Sequence, residues 1–369
     1  MGTFASLKRL LLGCGLVSAL GLTGCSLDLD PDTLVRELRV LGLRIGDPQA
    51  QSKAEVQANL VPKDGSFDLV FPSDHVTLSA LVGAPTGPGR RLAAPQPLAY
   101  DWYLCVGIRS LFSPGSVDPA CRKWAVTDPD PKKNPSLVYL QSGSSVAVPT
   151  TVLSGVVLNI LQTLLLGGGS GGTGGTGGTG GTTMIPTEPV VLVLPVMMRV
   201  SVVGGDPSDS RNSEVSYSFL KITVALPGMT LPVPNKNPAL AAMSAGPEKE
   251  GAMQALQPCA ADGQCPRYQL RRNEGIFLTP TLQDGSIEKY LQATDTSPME
   301  KSETVRYIWF ASDGEYTEAR SGNAQPQTQW QNTEKFAAPA ETNIVKLWLV
   351  AQDVRGGVDW QSYELQLTD

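Results

Sequence analysis

Residues 98–105 (Leu-Ala-Tyr-Asp-Trp-Tyr-Leu-Cys) and residues 305–311 (Val-Arg-Tyr-Ile-Trp-Phe-Ala) each place a tryptophan in a short run of alternating residues. Such period-two runs, separated by clusters of Gly, Pro, Asn and Asp, predict β-strands. In both halves of the chain the same order recurs: a strand, a tryptophan-bearing strand, a long intervening segment and a closing pair of strands. The corresponding runs are 76–82, 98–105, 196–203 and 215–224 in the first half, and 276–282, 305–311, 345–352 and 360–367 in the second. The sequence therefore predicts a mainly β protein with two sandwich domains, whose cores contain Trp102 and Trp309.

The last run of the first half carries a change of phase. Val215, Tyr217 and Phe219 alternate, and the apolar positions then move to the even numbers from 220 to 224. A phase change of this kind predicts a β-bulge.

The second half resembles an immunoglobulin-like (Ig-like) sandwich of the PKD-repeat kind. That family carries Trp-Asp-Phe-Gly-Asp-Gly after its third strand, and this chain has Trp309-Phe310-Ala311-Ser312-Asp313-Gly314, which matches at the tryptophan and at Asp-Gly. The Asp-x-x-Gly spacing of the family's closing hairpin matches Asp353 and Gly356, with two extra residues before the aspartate. The first half keeps only the Trp102 strand of this pattern. The resemblance implies an Ig-like sandwich at residues 236–369, and the internal repeat predicts a second one at residues 35–228.

The N-terminus has the features of a secretory signal. Lys8 and Arg9 precede an apolar stretch that is too short to span a bilayer, and residues 22–25 read Leu-Thr-Gly-Cys. This ending resembles the bacterial lipobox, which implies cleavage after residue 24 and lipid attachment at Cys25. The next residue is Ser26 and not Asp, which by the sorting rule for such lipoproteins resembles an outer-membrane destination. We therefore expect a signal peptide at residues 1–24, an acidic tether at residues 25–34 and a location at the outer membrane; as a whole, the chain is similar to Gram-negative outer-membrane lipoproteins with Ig-like domains.

Four cysteines follow Cys25, an even number that suits an oxidising compartment. They allow three disulfide connectivities, and we predict the two local ones, Cys105–Cys121 and Cys259–Cys265. A zinc site is the alternative, but neither gap has the spacing of paired zinc-ligating cysteines.

Residues 134–187 contain no charged residue and are predicted to form an insertion in the first sandwich. Residues 152–166 have the apolar periodicity of a helix, and residues 167–183 form a Gly-rich linker. The helix has three interpretations: it covers an open edge or end of its own domain, it docks into a partner protein, or it lies in a membrane surface. The flexible connection favours contact with a partner through residues 152–183.

Composition excludes some functions. The chain has 369 residues, a formal net charge of −6 and a single histidine, His75. The net charge is negative and the Lys and Arg residues are scattered, which argues against nucleic-acid binding. A single histidine excludes His-rich metal sites. His75 opens a strand and is predicted to face solvent. We found no pair of carboxylates that stands out for catalysis, so we do not expect an enzyme.

Four residues remain as candidates for ligand contact. Asp313 and Asp353 lie in loops at the ends of adjacent strands, where they could bind a structural calcium ion or cap turns. Trp330 and Trp360 fall in or beside loops, where they could stack on sugars or lie partly buried. No other cofactor or metal is expected. The sequence favours a lipid-anchored, non-catalytic interaction or structural module of the envelope, held by the membrane and bound to another envelope protein, with polysaccharide binding as the alternative.

Overall fold

A computed structural model describes residues 33–46, 54–64, 66–87, 90, 92, 94–106, 117–121, 134, 136–166, 188–206, 209, 211–260, 263–292, 299–333, 338–339 and 343–369. Cys25, the predicted signal and the Gly-rich linker at 167–183 lie outside these residues. The fold is mainly β, as predicted, with one long helix in the described part, α1 at Thr150–Leu166. The strands are β1 Arg39–Ile45, β2 Val56–Lys63, β3 Ser66–Val70, β4 His75–Gly83, β5 Leu98–Cys105, β6 Leu137–Ser142, β7 Ser145–Pro149, β8 Val190–Val202, β9 Ser213–Ala225, β10 Leu240–Gly246, β11 Gln254–Leu256, β12 Arg267–Arg271, β13 Gly275–Leu282, β14 Lys289–Gln292, β15 Met299–Ser302, β16 Val305–Ala311, β17 Glu315–Tyr316, β18 Arg320–Gly322, β19 Thr328–Gln331, β20 Ile344–Asp353 and β21 Val358–Thr368.

The described residues of 33–226, here called the N-terminal lobe, pack two sheets around one core. A six-stranded sheet has the order β3-β2-β9-β8-β5-β6, and a three-stranded sheet has the order β1-β4-β7. Alternate residues of each strand face inward, as the period-two pattern requires. The core is built from both sheets and includes Trp102, Leu78 and Leu194.

The described residues of 240–369, here called the C-terminal lobe, pack two five-stranded sheets around a second core. The orders are β12-β21-β20-β16-β18 and β11-β10-β13-β19-β17. Trp309, Trp330 and Tyr363 are the largest side chains of this core. Trp102 and Trp309 are each 1% exposed, so both predicted core tryptophans are confirmed.

The two lobes repeat one strand arrangement. The order β2-β9-β8-β5-β6 in the first lobe corresponds to β12-β21-β20-β16-β18 in the second, and β1-β4-β7 corresponds to β10-β13-β19. β2 runs parallel to β9, as β12 runs parallel to β21. β1 and β10 each carry a register shift. The repeat inferred from the tryptophan-bearing strands is thus matched by the pairing of the strands around them.

The predicted bulge in β9 is wrong. β9 pairs with β8 in unbroken register from Ser213 to Val224. The apolar pattern shifts from odd to even positions because the two faces of β9 are covered along different parts of the strand. Leu220 faces the main core, whereas Val215 and Phe219 pack on the opposite face against a small cluster. That cluster contains Tyr103, Cys105, Val117, Cys121, Leu137 and Met197.

The predicted insertion at residues 134–187 is wrong in its first part. Residues 137–149 form β6 and β7, which pair with β5 and β4 inside the two sheets. The predicted helix is present as α1, and it packs against β3 and β7, which each lie at the end of a sheet. Leu153, Val157, Ile160 and Leu161 are at most 5% exposed in the N-terminal core. The apolar face of α1 therefore covers its own lobe, and it is not available to a partner or a membrane.

Both predicted disulfides are present. Cys105 joins Cys121, and Cys259 joins Cys265. Cys105 and Cys121 are fully buried on the outer face of the six-stranded sheet. The first disulfide thus links residues 117–121 to the end of β5, next to Tyr103 and Met197.

Candidate functional site: the junction between the lobes

A buried ion pair joins the lobes at the Asp-Gly motif. Arg90 of the N-terminal lobe donates from Nη2 to Oδ2 of Asp313, and the side chains are 4% and 0% exposed. Ser312 also donates from its hydroxyl to Asp313 Oδ2 at 3.1 Å. Asp313 was a candidate calcium ligand, and the structure instead pairs it with an arginine of the other lobe.

Gly314 and Trp330 fix the backbone next to this ion pair. Gly314 has φ +71°, and a Cβ there would lie 2.5 Å from the carbonyl oxygen of Gln331 and 2.6 Å from the Trp330 ring. Trp330 donates from Nε1 to the Asp313 carbonyl at 2.9 Å, and it is 0% exposed. The prediction that Trp330 contacts a ligand is therefore wrong, because β19 places its ring in the core.

Asp353 caps a turn and holds the connection between the lobes. Its Oδ1 accepts hydrogen bonds from the amides of Arg355 at 2.7 Å and Gly357 at 2.9 Å. Its Oδ2 accepts from Asn235 Nδ2 at 3.1 Å, and the Asn235 carbonyl accepts from the amide of Ala54 at 2.8 Å. Burial raises the pKa of Asp353 despite these donors. Of the two sequence interpretations, the structure supports turn capping.

Asp313 and Asp353 are not brought together. Asp353 pairs in register with Val305 at the start of β16, whereas Asp313 follows Ala311 at the other end of that strand. Among the described residues, no three His, Cys, Asp or Glu side chains are grouped as metal ligands would be. The two aspartates instead make separate contacts at the junction between the lobes.

A third aspartate fastens β1 to β21. Arg44 donates from Nη1 to Asp359 Oδ1 at 2.7 Å, and Asp359 Oδ2 accepts from the amide of Leu240 at 2.8 Å. The guanidinium carbon of Arg44 lies 4.2 Å from the centre of the Trp360 ring. Burial raises the pKa of Asp359, because desolvation outweighs the pairing with Arg44. Trp360 is half-buried between the lobes. Arg44 covers one face of its ring, which a sugar would need for stacking.

Arg355 is the centre of a charge network at the same junction. It lies 3.6 Å from Glu55 of the N-terminal lobe, 3.3 Å from Glu303 and 3.8 Å from Glu288. Lys221 also binds Glu55, at 2.5 Å. Burial raises the pKa of Glu303, whereas the hydrogen bond from the Glu288 amide and, to a smaller extent, the charge of Arg355 favour its ionised form. This network places one arginine among carboxylates from both lobes.

Apolar contacts complete the junction. Val35, Leu41 and Trp348 form a buried cluster that spans the lobes, with Leu81 and Phe310 at its margin. Leu41 lies at the register shift of β1, which frees it from the β1–β4 ladder. The amide of Val35 donates to the carbonyl of Ala311 at 2.7 Å.

At the same register shift of β1, the backbone amide of Val40 is bound by a side chain. It donates to Oε2 of Glu214 at the start of β9. Burial is the main reason that the pKa of Glu214 is raised to about 7. Since its unfolded pKa is near 4.5, the folded state holds a proton that the unfolded state releases between these values, and this contribution to stability declines as the pH rises.

His75 lies at a pocket that Glu55 of the charge network also lines. It is exposed, as predicted, and its Nδ1 lies 2.5 Å from Asp74 Oδ1. It lines a cavity of about 300 Å³ whose walls include Val56, Phe71 and Val76.

Sequence reasoning located Asp313 and Asp353 but missed their partners. Arg90 and Arg44 are separated from their aspartates by 223 and 315 residues. Nothing in their local sequence distinguishes them from other arginines. The one available signal was Arg355, which lies inside the Asp353-x-x-Gly356 spacing.

The junction is thus a set of buried pairs that hold two β lobes in one arrangement; residues 33–369 form one compact unit. Among the described residues, no helix has both the length and the apolar character needed to cross a membrane. No protein-family model matches this chain, and no curated protein is similar enough to it to be counted as a relative.

Proposed function

We propose that this protein is a lipid-anchored, non-catalytic envelope protein whose two lobes act as one rigid structural and interaction module. The observation that carries the proposal is the junction, where Asp313 binds Arg90 of the other lobe and Asp353 binds the side-chain amide of Asn235 in the connection between the lobes. Side chains that join the two lobes make the arrangement of the lobes rigid. The carboxylates of Asp313 and Asp353 are occupied by these contacts, so they are not free to bind a metal ion or a substrate.

The proposal includes two Ig-like sandwiches of the kind found in outer-membrane lipoproteins. The repeated strand order supports this, as do the buried tryptophans on the equivalent strands β5 and β16. The finer resemblance to PKD repeats is supported by Gly314, whose positive φ and close packing on Trp330 account for the Asp-Gly pair.

Rigidity is the property that distinguishes this chain from a simple pair of linked domains. Domains joined by a linker move relative to one another unless their interface is large or well packed. Here the connection at residues 226–239 is itself bound, since Asn237 donates to the Ile45 carbonyl at 2.8 Å and accepts from the Val358 amide at 2.8 Å. An anchored module of this kind would hold its distal surface at a fixed position above the membrane.

The partner is proposed to be another envelope protein, but not through α1. Its apolar face is buried in the N-terminal core, which removes the helix from the surface that we expected to dock. The polysaccharide alternative relied on Trp330 and Trp360, and it loses support because one is buried and the other is covered by Arg44.

The anchor is tested by metabolic labelling with a radioactive fatty acid. We expect the full chain to incorporate label and to fractionate with the outer membrane, and Cys25→Ser to lose both properties. Cys14→Ser is the matched control, because it changes a cysteine of the same N-terminal segment and should leave labelling unchanged. Absence of label in the unaltered chain, or equal label in Cys25→Ser, would overturn the anchored function.

A further inference from the structure

The charge network around Arg355 contains more carboxylates than cations. Its members come from both lobes and from the connection between them, and three of its four carboxylates are buried. The ring centre of Tyr290 lies 5.2 Å from the Arg355 guanidinium carbon. The carboxylates are Glu55, Glu288, Glu303 and Asp353, and the cations are Arg355, Lys221 and Lys236. Among the described residues, the network therefore has one carboxylate in excess.

Glu303 is the carboxylate of this network whose charge is least compensated. Within the described part of the chain its one cation is Arg355, at 3.3 Å, and it shares this cation with Glu55 and Glu288. Its Oε2 accepts a hydrogen bond from the Glu288 amide at 3.2 Å. The other three carboxylates have partners besides the Arg355 side chain: Lys221 binds Glu55, Lys236 binds Glu288, and the backbone amides of Arg355 and Gly357 and the side-chain amide of Asn235 bind Asp353.

The surroundings of Glu303 favour its neutral form. Burial is the main reason that its pKa is raised, and the nearby charges of Asp353 and Glu288 act in the same direction. Since the ordinary pKa of a glutamate is 4.5, the folded protein keeps a proton on Glu303 at pH values where the unfolded chain has released it. The resulting contribution to stability is present in mild acid, and it is lost as the pH rises through the pKa of the folded state.

Arg355 couples Glu303 to the N-terminal lobe. Its Nη1 lies 3.3 Å from Glu303 and 3.8 Å from Glu288, whereas its Nη2 lies 3.6 Å from Glu55 of the other lobe. All three distances exceed the 2.7–2.9 Å or so of a strong charge-assisted hydrogen bond, because one guanidinium is shared among three carboxylates. An ionised Glu303 therefore competes with Glu55 for the same cation.

We propose that a proton on Glu303 regulates how tightly the two lobes are joined. In mild acid Glu303 is neutral, so Arg355 is left to Glu55 and Glu288 and the junction is tight. At higher pH the ionised Glu303 draws Arg355 toward the C-terminal lobe and adds an excess negative charge to a buried site, which loosens the contact at Glu55. This inference rests on the proposed rigid module, and it makes the rigidity of that module dependent on pH.

The test is hydrogen exchange of the Ala54 amide, which donates to the Asn235 carbonyl at 2.8 Å beside the network. Its protection factor is divided by that of the Met198 amide, because Met198 lies on a strand paired on both sides and reports on unfolding of the N-terminal core. We expect this ratio to fall about threefold or more between about pH 5 and about pH 8. Glu303→Gln should abolish the fall, since the side chain then stays neutral at every pH.

Glu300→Gln is the matched control. Glu300 lies on the nearby strand β15, its side chain is 58% exposed and it pairs with Lys289, so the ratio should fall with pH as in the unaltered chain.

The unaltered chain decides the outcome even if Glu303→Gln does not fold. A ratio that stays constant with pH in the unaltered chain, or that falls equally in Glu303→Gln, would overturn the inference. High protection of Ala54 at both pH values would overturn the pH dependence and leave the rigid module in place. An Ala54 amide that is unprotected at both pH values would contradict the rigid module and, with it, this inference.

Discussion

Replacement of Arg90 by methionine is expected to lower the free energy of unfolding by about 3–5 kcal/mol, because it leaves the carboxylate of Asp313 buried without its cation. Asp313 is 0% exposed, and its Oδ1 has no hydrogen-bond partner among the described residues. The change is measured by urea denaturation, followed by intrinsic tryptophan fluorescence.

Two further variants separate the charge from the general effect of mutation. Arg90→Met combined with Asp313→Leu should recover about half or more of the loss, since an apolar pair removes the unpaired charge. Lys63→Met breaks the exposed pair with Asp68, whose side chains are 67% and 49% exposed. That control should cost less than about 1 kcal/mol. If Arg90→Met costs no more than Lys63→Met, the buried pair does not hold the lobes together.

Trp330→Ala is expected to destabilise the protein by about 3–5 kcal/mol, the usual cost of removing a buried tryptophan from a core. The loss has two sources: the cavity left in the C-terminal core and the lost hydrogen bond from Nε1 to the Asp313 carbonyl. Thermal and urea unfolding measure the effect.

Trp360→Ala is the control for this variant. It removes a half-buried ring and its contact with Arg44, for which we expect about 1–2 kcal/mol. A Trp330→Ala protein as stable as the unaltered chain would show that the ring is a surface group, and it would restore the ligand-contact hypothesis for this residue.

Local sequence predicted the elements of this fold well. The alternation in β4, β5, β16 and β20, the apolar face of α1 and the two short cysteine gaps are all local signals, and each was confirmed. Period two and period 3.6 arise from backbone geometry, so they can be read without knowing the tertiary fold.

The errors arose where distant residues decide the outcome. The phase change in β9 resembled a bulge because the cluster on its outer face is supplied by Met197 of β8 and by five residues between 103 and 137. Trp330 lies in the polar run Thr-Gln-Trp-Gln, which is a strand only because β13 and β17 pair with it. The aspartates were located correctly, but their chemistry depends on Arg90 and Asn235, which no spacing in the motif indicates.

The junction is expected to hold the lobes in one arrangement. The direct measurement is the distance distribution between spin labels at Tyr217→Cys on β9 and Gln269→Cys on β12, in the chain carrying Cys25→Ser and diluted with unlabelled protein. Both positions are exposed on strands, one in each lobe. We predict a single narrow distribution for the unaltered junction, and a broader one when Arg90→Met is added. A broad or multiple distribution with the junction intact would show that the lobes move independently, and it would contradict the account.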